Sequence, residues 1–276
     1  MKQPARVFPL TTRRVEKVWG RTHLPAPFDT RSKTPIGEIW FEPPAELDQL
    51  LVKYLFTSEK LSVQVHPSDA DAQIGEDGKD ECWLVLDAEP GARLAIGFEQ
   101  SIAPDQIEAA ARDGSIEQLL SWREVSPGDV FFLPAGTVHA IGPGLALIEV
   151  QQNSDTTFRL YDYGRPRELH LERAIAVARG EPYPPELSGT VSQRGEEVIS
   201  GRHFRLDRVL GQPSDEILQR YQAGLLALPL SGQISSADGT SCASAGGCLY
   251  ADDVSALDFS AAEVTLLTCP TGRTQS

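Results

Sequence analysis

Ser126-Pro127-Gly128-Asp129-Val130-Phe131-Phe132-Leu133-Pro134-Ala135-Gly136-Thr137-Val138-His139-Ala140-Ile141 is the stretch whose reading decides the fold class. An apolar run, Val130 to Leu133, stands between two turn signals, and a second, Val138 to Ile141, follows directly. Leu145 to Val150 adds a third strand. Upstream, Leu51 to Phe56, Leu61 to His66, Glu81 to Leu86 and Leu94 to Phe98 read the same way, and Gly37 to Phe41 reads as the start of a strand. In Leu61-Ser62-Val63-Gln64-Val65-His66 apolar and polar residues alternate, which predicts a half-buried strand with one polar face. Short strands divided by turns at this spacing predict a mainly β protein built as an antiparallel barrel or sandwich.

Two segments depart from that pattern. Between Pro104 and Trp122, Ile107, Ala110, Ala111, Ile116, Leu119 and Leu120 fall at helical spacing, with Gly114 as a break, so a helical insert near 104–122 is expected. Glu168 to Arg179 reads as a helix stopped by Pro182, Pro184 and Pro185. A boundary near 180–197 then separates a first domain, 1–185, from a smaller β unit, 198–276. That unit has strands at Phe204 to Leu210, Gly224 to Leu230 and Val264 to Thr268, and a Gly/Ser/Ala-rich loop from Ser235 to Gly247.

The 276 residues carry 25 basic and 39 acidic side chains, a net charge of -14, which argues against nucleic acid or an anionic lipid surface as partner. Val130 to Ile148 lacks charge, but Pro and Gly interrupt it, so no membrane span is expected. Met1 to Leu10 has no apolar run of secretory length, and the expected location is cytoplasmic. Cys82, Cys242, Cys248 and Cys269 form no CxxC pair, so neither a disulfide framework nor a thiolate metal site is predicted. GxxxxGK, GxGxxG and GxSxG motifs are missing, which removes the usual supports for nucleotide-dependent and serine-hydrolase chemistry.

Gln64 and His66 leave one face of a strand, Glu81 opens the next strand, and His139 ends a Pro-Ala-Gly-Thr turn. Two imidazoles, a carboxylate and an amide oxygen suit zinc or another first-row divalent ion better than calcium. A histidine on a strand is more often an ordinary surface or hydrogen-bonded residue, and spacing alone does not decide between the two. Lys79 lies two residues before Glu81; beside a cation its pKa should fall, which suits proton transfer, whereas the plainer reading is a solvated lysine in a turn. The polar run from Gln151 to Arg165 suits a hydroxylated, anionic small molecule.

Four motifs, in order, resemble the type I mannose-6-phosphate isomerases of the short bacterial form. They are Leu61 to Pro67, Lys79-Asp80-Glu81-Cys82-Trp83, Pro127-Gly128-Asp129 with Pro134 to Ala140, and Gln151 to Arg159 with Tyr161-Asp162. Weaker similarity extends over roughly residues 15 to 180. The resemblance implies a cupin (jelly-roll) barrel holding one zinc on Gln64, His66, Glu81 and His139, with a second, smaller cupin-like unit at the C-terminus that lacks a ligand set. It also implies interconversion of mannose 6-phosphate and fructose 6-phosphate through a cis-enediol, by a monomer or homodimer. Arg159 matches the family's active-site arginine, and Lys79, Glu149 and Asp155 fall on positions in or beside its pocket. Lys79 is the first candidate for proton transfer, with Asp155 and Glu149 as alternatives, and Arg165 is the candidate for holding the phosphate together with Lys79. Four protein ligands leave no open tetrahedral position, so a substrate oxygen must expand the shell or displace Gln64. Longer relatives have a lysine where Arg165 stands, and a helical domain that has no room here. The competing readings are a cupin oxygenase, against which an amide ligand argues, and a non-catalytic sugar-phosphate sensor.

Overall fold

A computed structural model describes residues 5–271; the beginning of the Met1 to Leu10 stretch and the end of the 198–276 unit lie outside the described residues. The first strands are β1 (Val7–Pro9), β2 (Thr12–Leu24), β3 (Thr30–Phe41), β4 (Leu50–Phe56), β5 (Val63–Val65), β6 (Glu81–Ala88) and β7 (Arg93–Phe98). Helices α1 (Pro104–Asp113) and α2 (Ile116–Leu119) lead to β8 (Leu120–Glu124), β9 (Asp129–Leu133), β10 (His139–Ile141), β11 (Leu145–Gln152) and β12 (Phe158–Tyr161). Then come α3 (Leu171–Val177), β13 (Ser188–Thr190), α4 (Val191–Arg194), β14 (Glu197–Ser200), β15 (Phe204–Leu210), α5 (Asp215–Arg220), β16 (Leu225–Ser236), β17 (Cys242–Ser244), β18 (Leu249–Ala251), β19 (Leu257–Asp258) and β20 (Ala262–Pro270).

Side-chain parity along these strands builds three layers of sheet. A seven-stranded sheet, β13-β9-β6-β11-β4-β3-β2, faces a five-stranded one, β12-β5-β10-β7-β8, and every pairing in both is antiparallel. Between them pack Leu55, Trp83, Val85, Phe131, Leu133 and Leu147 from one sheet and Leu94, Ile96 and Ile141 from the other. The alternate residues of the large sheet, among them Val52, Tyr54, Leu84 and Ile148, point the opposite way and pack on Phe204, Leu206, Leu226 and Leu266 of the C-terminal sheet. On the outer face of the small sheet, Val63, Val65, Ala140 and Phe158 are covered by Ile107, Ala111, Ile116 and Ala174 of the helices. Because both faces of the large sheet are covered, β4 is buried at all seven positions. The C-terminal sheet, β1-β18-β16-β20-β15-β14 with β17 and β19 on β16, takes its edge strand β1 from the start of the chain and closes its own core around Val209, Tyr221, Leu225 and Leu267.

The mainly β cupin architecture agrees with the sequence reading; several boundaries do not. Gly37 to Phe41 is the end of a strand, not its start, because β2 and β3 form one long hairpin whose turn-like residues are absorbed at register shifts near Glu16 and Arg21. Leu120 to Trp122 leaves the helical insert and pairs with β7, since Leu120 opposite Phe98 and Trp122 opposite Ala95 complete the small sheet. The third helix covers only Leu171–Val177, after which the Arg179 amide donates to the Gly136 carbonyl and the chain follows the Pro134 to Thr137 turn instead. The loop from Ser235 to Gly247 contains a hairpin, with β17 folded back on β16 around Gly239 at φ +72°. Leu61 to His66 is buried on both faces rather than one, with Ser62 and His66 each 2% exposed.

Candidate active site

Three neighbouring strands of the small sheet place the first side chains in a row. His139 on β10 and Arg159 on β12 are both register partners of Gln64 on β5, so the three project from the same face into the space between the sheets. His66 follows Gln64 two residues on, and Glu81 enters from β6 of the facing sheet. The turn that aims His139 depends on Gly136, at φ +86°, whose amide donates to the His66 carbonyl over 2.8 Å and ties the two histidine segments together.

Each imidazole is oriented by its outer nitrogen. His66 Nδ1 lies 2.8 Å from the Thr156 carbonyl, and His139 Nδ1 lies 2.9 Å from the Thr137 carbonyl. A carbonyl only accepts, so both protons sit on Nδ1 and both Nε2 lone pairs point inward. There, His66 Nε2 is 3.2 Å and His139 Nε2 3.8 Å from the two oxygens of Glu81, and the Gln64 amide is 3.2 Å from His139 Nε2. A tetrahedral ion with bonds of about 2.0–2.1 Å needs donors about 3.3–3.4 Å apart; the His66–Glu81 and Gln64–His139 spacings are close to that, and the His66, Glu81 and His139 donor atoms all lie within 4.8 Å of one another. His66 Nε2 and Glu81 Oε2 are buried and make no hydrogen bond, as expected of atoms arranged for a cation. Rotating the Gln64 amide by a half-turn presents its oxygen as a fourth donor. Burial pushes the His139 pKa down to about 4 and that of His66 down as well, with the Lys79 charge adding to the effect at His66. Burial alone would raise Glu81, but the Lys79 ammonium 2.8 Å away holds it well below the usual carboxylate range. All three groups are thus in the deprotonated state that metal binding requires.

Lys79 is 5% exposed and paired to Glu81, so it is not a solvated turn lysine. It lies within a pocket of about 180 Å³ whose wall also includes Gln64, Glu149, Asp155 and Arg159. Glu149 is opposite Trp83 on β6 and Lys53 on β4; it accepts from the Trp83 indole over 3.1 Å and pairs with Lys53 over 2.8 Å. Burial and the nearby Glu81 charge push the Glu149 pKa up to about 7. Arg165 is turned away from this pocket: it grips Asp162 at 2.7 Å and donates to the Lys60 carbonyl at 2.9 Å. A wider cleft of about 480 Å³ adjoins the pocket and shares Asp155 and Thr157 with it.

Four further pocket residues were not singled out in the sequence reading. Lys53 pairs with Glu38 as well as Glu149, Lys17 pairs with Glu38 at 3.2 Å, and Arg167 grips Asp162 through two nitrogens at 2.6 Å. Glu38 is held down at about 2: its burial acts against ionisation, but Lys53, Lys17 and the Trp40 indole prevail. For Lys53 the available signal was a charge inside an otherwise apolar strand.

No protein-family model matches the chain. A mannose-6-phosphate isomerase of Bacillus subtilis is 45% identical over 160 residues, which is 55% of this chain and 50% of the relative. One of Streptococcus mutans is 43% identical over 136 residues, 46% of this chain and 43% of that protein. The chain thus spans about half the length of the curated relatives it matches. The crystal structure of the Bacillus subtilis mannose 6-phosphate isomerase superposes with a TM-score of 0.76 at 25% identity, covering 96% of this chain and 99% of that one. A variant of phosphomannose isomerase from Salmonella typhimurium, 15% identical with a TM-score of 0.67 over 97% of this chain and all of its own, shares the fold. By sequence over about half its length, and by fold over nearly all of it, the chain resembles the mannose-6-phosphate isomerases.

Proposed function

We propose that the chain is a zinc-dependent, cytoplasmic isomerase that interconverts mannose 6-phosphate and fructose 6-phosphate. The observation that carries this reading is the buried His66, Glu81 and His139 donor set with Arg159 in register beside it. The reading divides the chain into a metal-bearing unit over 1–185 and a smaller β unit over 198–276, with β1 (Val7–Pro9) of the first range pairing into the sheet of the second. Gln64 completes the metal shell, and zinc when bound supplies a Lewis acid that polarises the sugar oxygens.

The rest of the chemistry belongs to the protein's own groups. A base removes the proton from C2 of the aldose while O1 gains one, leaving a cis-enediol. The same group, now an acid, delivers a proton to C1 as the O2 hydroxyl loses its own, and C2 becomes the carbonyl. Lys79 is assigned this transfer first, since it is buried on the pocket wall beside Glu81. Glu149 and Asp155 are the carboxylate alternatives; Glu149, at about 7, is close to half-protonated at neutral pH, as a group that both takes and gives a proton should be. Arg159 stabilises the negative charge that develops on the enediolate oxygen. Trp19, Leu55, Leu61 and Trp83 line the same pocket and exclude water from the enediol.

The test is conversion of mannose 6-phosphate to fructose 6-phosphate by purified protein, before and after chelation and after zinc is added back. Activity lost with chelator and restored by zinc is the expected result. A folded, zinc-loaded protein without turnover would overturn the reading.

A further inference from the structure

Two successive amides of the turn that aims His139 reach the chain segments carrying the other donors. The Gly136 amide donates to the His66 carbonyl, and the Ala135 amide, one residue earlier, donates to Asp80 Oδ1, each over 2.8 Å. Asp80 directly precedes Glu81, so this one turn holds both the His66 and the Glu81 segments. The local sequence explains why a side chain is needed there. Strands β6 and β9 pair as far as Glu81 opposite Leu133, and the next residue on β9, Pro134, has no N–H with which to continue the ladder. The Asp80 carboxylate takes up the amide that follows. Ala135 is buried, so losing that acceptor would leave its N–H costly to satisfy.

Asp80 is itself fixed from two further sides. Its amide donates to Gln152 Oε1 over 2.9 Å, and its carbonyl accepts from the Gln152 amide over 3.1 Å. The Gln152 side chain then donates to Asp69 Oδ1, which also accepts from the Gly78 amide. From the C-terminal unit comes His203, between β14 and β15, whose two ring nitrogens face Asp69 at 3.7 Å and Asp80 at 3.9 Å. Those spacings are too long for hydrogen bonds, so His203 helps to dock the two units and the Ala135 bond does not depend on it.

We propose, resting on the zinc-site reading, that Asp80 is a positioning residue of the metal centre: its carboxylate ties the His139 turn to the start of β6 and so sets the spacing of His139 and Glu81. Asp80 belongs to no donor set; it acts through the backbone that carries two donors. Donors held at their spacing beforehand lose less freedom when an ion binds, so the effect falls on metal affinity.

Zinc affinity of the purified full chain, measured by competition with a chromophoric chelator, tests the assignment, with melting of the metal-free protein as the check on folding. Asp80→Ala should weaken zinc binding by about tenfold to a hundredfold, the range for losing a group that orients metal ligands. Asp80→Asn keeps an oxygen for the Ala135 amide and should bind zinc within about threefold of the parent protein. His203→Ala should lower the melting temperature and leave zinc affinity within about threefold. Should Asp80→Ala fail to fold, Asp80→Glu keeps the charge but moves the oxygens by one methylene, and should show a loss of zinc affinity in its place. Unchanged affinity in the folded Asp80→Ala or Asp80→Glu protein, a loss in Asp80→Asn as large as in Asp80→Ala, or an equal loss in His203→Ala would overturn the assignment while leaving the zinc site intact. A parent protein that binds no zinc would overturn both.

Discussion

Replacing Lys53 with methionine keeps an unbranched apolar stem in place and removes only the charge. In the folded protein the ammonium lies 2.8 Å from Glu149 and 3.4 Å from Glu38, with all three side chains no more than 7% exposed. Removing one partner of a buried ion pair costs about 3–5 kcal/mol. Two features of the site reduce that cost. Lys17 remains 3.2 Å from Glu38, and Glu149, already pushed up to about 7 by burial and by Glu81, escapes by taking a proton. The expected loss is therefore about 3 kcal/mol at pH 8, the low end of the range. Linkage sets its pH dependence. A carboxyl whose folded pKa exceeds its unfolded value keeps a proton that the unfolded chain releases, so stability falls by about 1.4 kcal/mol per pH unit between the two values. For the parent protein that window runs from the ordinary 4.5 to about 7; for the variant, in which Glu149 has lost its cation, it extends higher. The two therefore run in parallel at pH 6 and diverge above 7, which leaves a loss of about 1.5 kcal/mol at pH 6. Urea unfolding at both pH values, with chelator present to remove metal linkage, measures the difference, and Lys53→Met with Glu149→Gln should recover most of it at pH 8. A loss below about 1 kcal/mol at pH 8, or one that does not change with pH, would refute the reasoning.

Three further outcomes follow from the same geometry. His66→Ala should lose both bound metal and turnover, whereas Lys79→Ala should keep the metal and slow the reaction by about 10²- to 10⁴-fold, the usual worth of a proton-transfer group; zinc analysis of the lysine variant would contradict this division of roles if the metal were gone. Glu38, held at about 2 against an ordinary 4.5, contributes about 3 kcal/mol that is present above pH 4.5 and disappears as pH falls toward 2; acid unfolding of Glu38→Gln should therefore show a flatter profile than the parent between those values. Gly136→Ala puts a Cβ on a residue at φ +86° and within 3.0 Å of the Val177 carbonyl, so it should cost about 1–3 kcal/mol and weaken zinc binding by shifting His139; unchanged zinc affinity would mean that the turn does not set the aim of that histidine.

Much of this site is written locally. The alternation from Leu61 to His66 places Gln64 and His66 on one face, and the Pro134 to Thr137 turn sets up His139, so the donor set was visible as short motifs within single strands and turns. The helix breaks were less legible, because the competing interactions come from elsewhere in the chain. Leu120 to Trp122 has helical spacing with what precedes it, yet its pairing with β7 completes a sheet. Arg165 and Arg167 both stand in a polar run, and nothing in the run tells which guanidinium lines the pocket. That depends on a left-handed turn at Tyr163 and Gly164 and on the buried Asp162.

Lys53 marks the limit of that local legibility. A strand covered on both faces reads as an unbroken apolar run, and β4 reads that way apart from one lysine among six apolar residues. A buried ammonium needs acids close by, so its presence already requires carboxylates on the strands beside it. One of those strands is the next in sequence before it, and carries Glu38, diagonal to Lys53 across the pair of Trp40 with Lys53. The other, β11, follows about a hundred residues later and sets Glu149 directly opposite Lys53. The need for two acids can thus be deduced from the strand itself, but their identity depends on the order in which the strands join the sheet. That order follows from which faces the helices and the C-terminal sheet cover. The same coverage keeps water from the charges, so the packing that buries Lys53 also gives Glu149 the raised pKa that proton transfer near neutral pH would use.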